Sequence, residues 1–259
     1  MVVDTLVRLT FGDFTNNTTY SISISKVNDE NGISIDSINL GFSFHQIEAY
    51  DLVINELMVD PTPPVGLPEY EYIELFNRTD FELSLYEWII KIDDSEKKLP
   101  LHKIEANSYL IISSSTAVGE LQAYGESIGL IGNNVLTNSG KSVALISNEG
   151  IPVDSLFYSD SWYQDEDKDN GGWSLERIDP NNTCGRLNNW RASIDPAGGT
   201  PGELNSIYTE NIDNQAPVLL KTRVIADNEI QLAFLNILTR LRSPPDYVVA
   251  IYWFTRFIV

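Results

Sequence analysis

The sequence is poor in cysteine, histidine and basic residues, and it contains no long apolar run. Cys184 is the only cysteine among 259 residues, so no disulfide can form within the chain. The only histidines, His45 and His102, have no cysteine or carboxylate near them at the spacing of a zinc site. No stretch reaches the roughly 18 apolar residues that a membrane helix needs. These gaps argue against a disulfide-stapled fold, zinc chemistry and membrane insertion.

The scarcity of bases gives the chain a strongly negative charge. The 37 acidic residues outnumber the 17 basic ones, and the formal net charge is -20. A surface of this sign repels phosphate backbones and anionic membranes. We therefore expect no nucleic-acid partner.

The pattern that is present is one of short alternating runs separated by turn residues, with almost no helical periodicity. Such a pattern predicts an all-β fold of the sandwich type. A hairpin is predicted across the turn at residues 148–150. The predicted strands lie at residues 6–11, 18–25, 38–44, 52–59, 70–76, 83–92, 99–104, 109–113, 142–147, 153–158 and 173–178.

Several fragments, in this order along the chain, resemble the lamin tail domain, an Ig-like module of nuclear lamins and of many bacterial surface proteins. They are VINELMVD (53–60), EYIELFN (71–77), LYEW (85–88), YLIIS (109–113), LTNSGKSV (136–143) and GIPVD (150–154). The bacterial form tends to end in a pattern seen here as GWSLERI (172–178), NW (189–190) and GGTPG (198–202). The chain departs from the family at Glu87, where Gly usually precedes the Trp, and at Ala106 and Asn107, where Pro-Gly is common. Both departures affect local turns more than the fold.

The resemblance implies a division of the chain into four parts. Residues 47–206 are expected to form a lamin-tail-like Ig-like β-sandwich, and residues 207–215 a linker. Residues 1–46 are expected to be the C-terminal part of an Ig-like domain that begins upstream. Residues 216–259 are expected to start a further Ig-like unit with an atypical end, because alternation is lost after Phe234. We therefore expect the chain to be an excerpt, with partial sheets on both flanks.

The resemblance also implies a role and a location. It points to a non-catalytic structural or adhesive module of a secreted or cell-surface bacterial protein. The expected partners are other domains of the same protein, with a surface glycan or protein as a further candidate. Partial flanking sheets have open edges, which could also pair between copies. The alternatives are a Ca²⁺-dependent carbohydrate- or protein-binding domain, and an accessory domain of an enzyme encoded elsewhere in a longer chain.

The most site-like feature of the sequence is an acidic run at residues 165–169. Alternating carboxylates suit Ca²⁺, which binds six to eight oxygens. If Asp165 is position 1 of an EF-hand loop, Asp167, Asp169 and Glu176 occupy positions 3, 5 and 12. The match fails at position 6, where Asn170 replaces Gly, and no flanking helices are predicted. A solvated acidic loop is the competing interpretation. Trp162 and Tyr163 border this run, and we expect them to be exposed enough to contact a ligand or partner.

The pair Glu71 and Glu74 is the other acidic candidate, because paired carboxylates hydrolyse glycosidic bonds. Residues three apart on a strand point to opposite faces, so the two cannot act on one bond. We expect Glu74 to be a structural acid that is hydrogen-bonded to a neighbouring loop. No Gly-x-Ser-x-Gly elbow is present either. The sequence thus predicts that the chain is not an enzyme and needs no cofactor, apart from a possible Ca²⁺ ion.

Overall fold

The computed structural model describes residues 9–29, 31–183, 186–212, 218–226 and 229–235. The chain divides into two compact units, Met1–Asn214 and Gln215–Val259. Some of the predictions fall outside the described residues. They concern the first half of the predicted strand 6–11, Cys184, and residues 236–259 of the atypical end. Residues 9–11 of that predicted strand are not in a strand.

The strands of the first unit are short and follow one another closely. They are β1 (Thr18–Ile24), β2 (Ile38–Phe44), β3 (Leu52–Met58), β4 (Tyr72–Asn77), β5 (Leu83–Ser84), β6 (Ile89–Ile92), β7 (Ser95–Lys98), β8 (Lys103–Ile104), β9 (Tyr109–Ser113), β10 (Ser127–Gly129), β11 (Lys141–Ile146), β12 (Pro152–Tyr158), β13 (Leu175–Arg177) and β14 (Trp190–Ala192). One short helix, α1 (Val118–Leu121), and two 3-10 helices, Asp160–Tyr163 and Arg186–Asn189, complete the described part of this unit. The second unit contains β15 (Val218–Ala226) and β16 (Glu229–Leu235).

Two sheets form the sandwich. One has six strands in the order β10-β9-β4-β3-β13-β14, and the other has four in the order β12-β11-β6-β7. The larger of two clusters of buried apolar side chains is built from both sheets, and it includes Ile54, Trp88, Val143 and Trp190. The prediction of an all-β, Ig-like sandwich is therefore confirmed.

Strand β3 is buried along its whole length, because both of its faces are covered. Its core-facing residues are Leu52 and Ile54 before a shift in register, and Leu57 after it. The shift falls between Ile54 and Glu56, where one extra residue, Asn55, bulges from the ladder. A bulge of this kind reverses the alternation of faces. As a result, Glu56 lies on the outer face of the six-stranded sheet, directly opposite Glu74.

Sequence patterns located most of these strands to within two residues, and β2 and β9 match their predicted bounds. The predicted strand at 83–92 is wrong, because the chain turns between β5 and β6. Glu87 has a left-handed φ of 61° in that turn, and its N–H donates to the carbonyl of Leu99. A left-handed conformation favours Gly, which explains why the family usually has Gly at this position. Within the predicted strand 99–104, only Lys103–Ile104 is in a strand.

The N-terminal strands β1 and β2 form a two-stranded sheet of their own. Tyr20, Ile22 and Ile24 lie on one face of β1, as predicted, and the residues between them are exposed. Phe14 packs against Tyr20, Phe42 and Phe44 at ring-centroid distances of 5.0, 5.5 and 5.6 Å. The assignment of this sheet to a partial domain stays a prediction.

In the second unit, β15 and β16 pair as an antiparallel hairpin. The two strands expected at the start of this unit are therefore present. Among the described residues, no helix is long and apolar enough to cross a membrane.

Candidate functional site

Three glutamates from neighbouring strands form a row on the outer face of the six-stranded sheet. In the strand register, Glu56 of β3 lies opposite Glu74 of β4 and also opposite Glu176 of β13. Residues that face each other across a ladder share one side of the sheet. All three side chains are 0% exposed. We call Glu56, Glu74 and Glu176 the glutamate row.

Residues 198–208, which we call the strap, supply a backbone N–H donor to each carboxylate. Thr200 N–H donates to Glu56 at 2.9 Å, and Ile207 N–H donates to Glu176 at 3.1 Å. Gly202 N–H donates to Glu74. Each carboxylate is therefore hydrogen-bonded to the backbone of the strap, which follows β14 in the chain.

Side chains add further donors to the row. Tyr72 donates its hydroxyl to Glu56 at 2.7 Å, and the side-chain amide of Asn55 donates to Glu74 at 2.9 Å. The hydroxyl of Ser206 lies 2.9 Å from Glu176 Oε2. A buried carboxylate is tolerated only when such bonds replace its lost hydration.

Gly202 is required by the path of the strap. Its φ is +84°, and an added Cβ would lie 2.3 Å from the carbonyl oxygen of Tyr124. Only glycine combines this conformation with such a close approach. The GGTPG motif at residues 198–202 therefore lets the backbone of the strap approach the glutamate row closely.

Burial and mutual repulsion change the acidity of the row. Burial, and then the charge of Glu176, raise the pKa of Glu56 to about 7, although bonds from its neighbours oppose the rise. Burial and then the charge of Glu56 raise the pKa of Glu74 well above its ordinary value. Adjacent buried carboxylates cannot all be charged at low cost. Glu56 and Glu74 therefore release their protons less readily than exposed glutamates do.

A buried ion pair lies beside the row and joins the two sheets. Arg177 of β13 contacts Asp154 of β12 through Nη2 and Oδ2 at 2.6 Å, and the two side chains are 5% and 3% exposed. Arg177 Nε also donates to the carbonyl of Ile54 at 2.8 Å, and Ile54 N–H donates to Asp154 at 2.9 Å. The guanidinium lies 5.1 Å from the ring of Trp190. This pair lies between β3 and the ends of β12 and β13, so it ties three strands together.

The acids predicted to bind Ca²⁺ are not gathered into one cluster. Asp165 accepts the N–H of Asp167 within a turn, and Asp169 accepts the side-chain amide of Asn170 at 2.6 Å. Glu176 belongs to the glutamate row and is bonded to the strap. Within the described ranges, no group of three or more His, Cys, Asp or Glu residues could hold a metal ion. The Ca²⁺ site at Asp165, Asp167, Asp169 and Glu176 stays a prediction that this geometry does not favour.

The expectation that Trp162 and Tyr163 are exposed is wrong. They lie in the 3-10 helix Asp160–Tyr163 and are only 9% and 2% exposed. Trp162 packs against Trp190 at a centroid distance of 5.6 Å, and the Tyr163 hydroxyl donates to the carbonyl of Trp173. Both side chains belong to the sandwich core. Both aromatic rings therefore pack in the core. The polar residues that flank them in the sequence gave no indication of this burial.

The two acids of the EYIEL motif face opposite ways, as predicted. Glu71 accepts the N–H groups of Val135 and Leu136 at 2.7 and 3.1 Å, whereas Glu74 accepts that of Gly202. The predicted bond from Glu74 to a neighbouring loop is therefore confirmed, with the strap as that loop.

Sequence reasoning missed the row as a unit, because its members are far apart in the chain. One signal was available: each glutamate stands in a predicted strand next to at least one leucine, in NEL, IEL and LER. A lone acid inside an otherwise apolar strand is compatible with a buried position. The sequence could not give the register that brings the three together.

Two packed, mainly antiparallel sheets with these connections define a module of the Ig-like β-sandwich class. Residues 45–160 match the family model of the Lamin Tail Domain, so this part of the chain is similar to that domain. A comparison with curated proteins found no match. Strands β13 and β14 and the strap lie beyond the matched residues, yet β13 pairs with β3 inside the same sheet.

Proposed function

We propose that this protein is a non-catalytic structural or adhesive module of a secreted or cell-surface bacterial protein. The lamin tail domain is an Ig-like family, which is consistent with such a module. Location and bacterial origin rest on the resemblance of the sequence motifs to the bacterial form. The proposed partners are neighbouring domains of the same protein.

The observation that carries this proposal is the burial of the glutamate row beneath the strap. A general acid or base must reach a proton on its substrate, directly or through one water. The carboxylates of Glu56, Glu74 and Glu176 are fully buried, and each is bonded to the strap. These three buried acids thus fasten one part of the chain to another.

The surface charge supports a role outside nucleic-acid chemistry. With a net charge of -20, the chain repels polyanions at low and moderate salt. The same charge keeps separate modules of an array from associating without specificity.

The test is a hydrolysis screen of the intact chain on polysaccharides, nucleic acids and peptides. We expect no turnover above the buffer rate. Turnover that disappears in Glu74→Gln, while the variant keeps its thermal transition, would refute the non-catalytic assignment. Asp167→Asn is the matched control, since it removes an exposed acid from the loop.

A further inference from the structure

A cavity of about 190 Å³ opens on the outer face of the six-stranded sheet, at one end of the glutamate row. Its lining includes Phe76, Tyr109, Arg78, Asn181 and Tyr208. We propose that this cavity binds a single neutral sugar ring, such as a residue of a surface glycan. This activity goes beyond the structural role proposed above and does not depend on it.

The floor of the cavity is aromatic. Phe76 of β4 lies opposite Tyr109 of β9, and their rings stack at 4.8 Å with an angle of 27° between planes. Both side chains are half-buried, so the sheet holds the rings in place while part of each stays accessible. A fixed aromatic platform suits the apolar C–H face of a sugar, because it offers a large contact area at a low entropic cost.

The walls of the cavity are polar and held in position. Arg78 donates from Nη1 to the carbonyl of Tyr50 at 2.7 Å and from Nη2 to Asn181 Oδ1 at 2.9 Å. Asn107, which also lines the cavity, is exposed at its rim. Burial, followed by the charge of Glu74, raises the pKa of Tyr109 to about 12, so its hydroxyl keeps its proton at neutral pH. Amides, a hydroxyl and guanidinium N–H groups are the partners that sugar hydroxyls need.

Charge favours a neutral ligand over an anion. Arg177 lies at the base of the cavity, but Asp154 neutralises it at 2.6 Å. Arg78, which donates to Tyr50 and Asn181, stands in the field of a chain with a net charge of -20. That field opposes the approach of phosphates and other anions.

The size of the cavity suits one sugar ring. Pockets for drug-sized ligands start at roughly 300 Å³, which exceeds the 190 Å³ found here. Since one water occupies about 30 Å³ of liquid, the cavity corresponds to about six waters. That space matches a monosaccharide better than a larger ligand.

The test uses saturation-transfer NMR on the full chain, with methyl glycosides of glucose, galactose, mannose and N-acetylglucosamine as probes. We expect transfer from at least one glycoside, and an affinity at least about tenfold lower in Tyr208→Ala and in Phe76→Ala, because each removes contact area. Tyr109→Phe keeps the aromatic ring but removes one hydrogen-bonding hydroxyl, so it should weaken binding less than Phe76→Ala does.

The controls are Tyr86→Ala and Phe157→Ala, whose side chains are 49% and 63% exposed elsewhere on the surface. They should leave the transfer unchanged. The binding result for Phe76→Ala counts only if this variant keeps its thermal transition. If it does not, the test rests on Tyr208→Ala, because Tyr208 is exposed and its replacement should not unfold the chain.

Three results would overturn the proposal. The first is no transfer from any glycoside to the unmodified chain. The second is transfer that Tyr208→Ala leaves unchanged. The third is binding of inorganic phosphate in place of the glycosides, which would make the cavity an anion site.

Discussion

The acidic run at residues 165–169 and the glutamate row show how differently the same chemical group behaves in two regions of one molecule. Asp165 and Asp167 are exposed, and their bonds stay within a local turn. Glu56, Glu74 and Glu176 come from three strands and are completely buried. The run is conspicuous in the sequence, whereas the row exists only after folding. Acids that are close together in the sequence therefore form an exposed loop here. The buried acids are brought together only by the register of the strands.

The largest expected effect on stability comes from breaking a buried ion pair, compared with breaking an exposed one. Arg177→Met leaves Asp154 buried without its partner, and we expect a loss of about 3–5 kcal/mol in the free energy of unfolding. Lys91→Met is the matched control, because its pair with Glu96 is 37% and 52% exposed, and it should cost at most about 1 kcal/mol. Urea denaturation of both variants measures the difference. Equal costs would mean that Arg177 is not held in a buried pair.

A somewhat smaller effect is expected from the acids themselves. Glu176→Ala removes the acceptor for Ile207 N–H and the Ser206 hydroxyl, so buried donors lose their partner. Each orphaned donor costs roughly 1–3 kcal/mol, and the relief of repulsion with Glu56 offsets part of that cost. We expect a net loss of about 2 kcal/mol by urea denaturation.

Asp167→Ala is the corresponding change in the acidic run. It should alter the free energy of unfolding by no more than about 0.5 kcal/mol, as is usual for exposed positions. If Asp167→Ala proved as costly as Glu176→Ala, the contrast between the two regions would fail.

The comparison with the sequence explains which parts could be foreseen. Strand β2 follows from alternation and strand β9 from a short apolar run, and each stands between turn residues. Strands β10 and β14 are three residues long, and their pairing with β9 and β13 decides their conformation. Local propensity carries little information in such short segments.

The site was harder to foresee than the fold for a physical reason. The bulge at Asn55 sets Glu56 opposite Glu74, and a bulge leaves only a weak trace in the pattern of apolar residues. The burial of Trp162 and Tyr163 depends on Trp190, which is far away in the sequence. In both cases, long-range packing determines which side chains reach the surface.

Stability should depend on pH through Glu56. Its folded pKa of about 7 lies above its ordinary value of 4.5, so the folded state holds a proton that the unfolded state releases between these values. This contribution is fully present below pH 4.5 and is lost as the pH rises through about 7. The slope is about -1.4 kcal/mol per pH unit for one proton.

Denaturation of the unmodified chain and of Glu56→Gln from pH 5 to 8 measures this contribution. The free energy of unfolding should fall less steeply with pH in Glu56→Gln, because Gln cannot titrate. In the control Asp167→Asn the slope should equal that of the unmodified chain. Parallel curves for the chain and Glu56→Gln would contradict the account of Glu56.

The smallest expected effect is that of Ca²⁺. Because the described residues form no cluster of acids around the run, we expect millimolar Ca²⁺ to leave the melting temperature unchanged. Ca²⁺ calorimetry on the intact chain and on Asp165→Asn is the second readout. A rise in melting temperature that Asp165→Asn abolishes would restore the Ca²⁺ hypothesis.

The central claim is that the glutamate row is buried and partly protonated, whereas the acidic run is not buried. Carboxyl-carbon NMR of the chain labelled with ¹³C at the side-chain carboxyls of Glu and Asp, titrated from pH 3 to 9, tests it directly. The account predicts a glutamate signal with a midpoint near 7 that is absent from Glu56→Gln. If every carboxyl titrates near pH 4, as exposed acids do, the row is hydrated and the account is wrong.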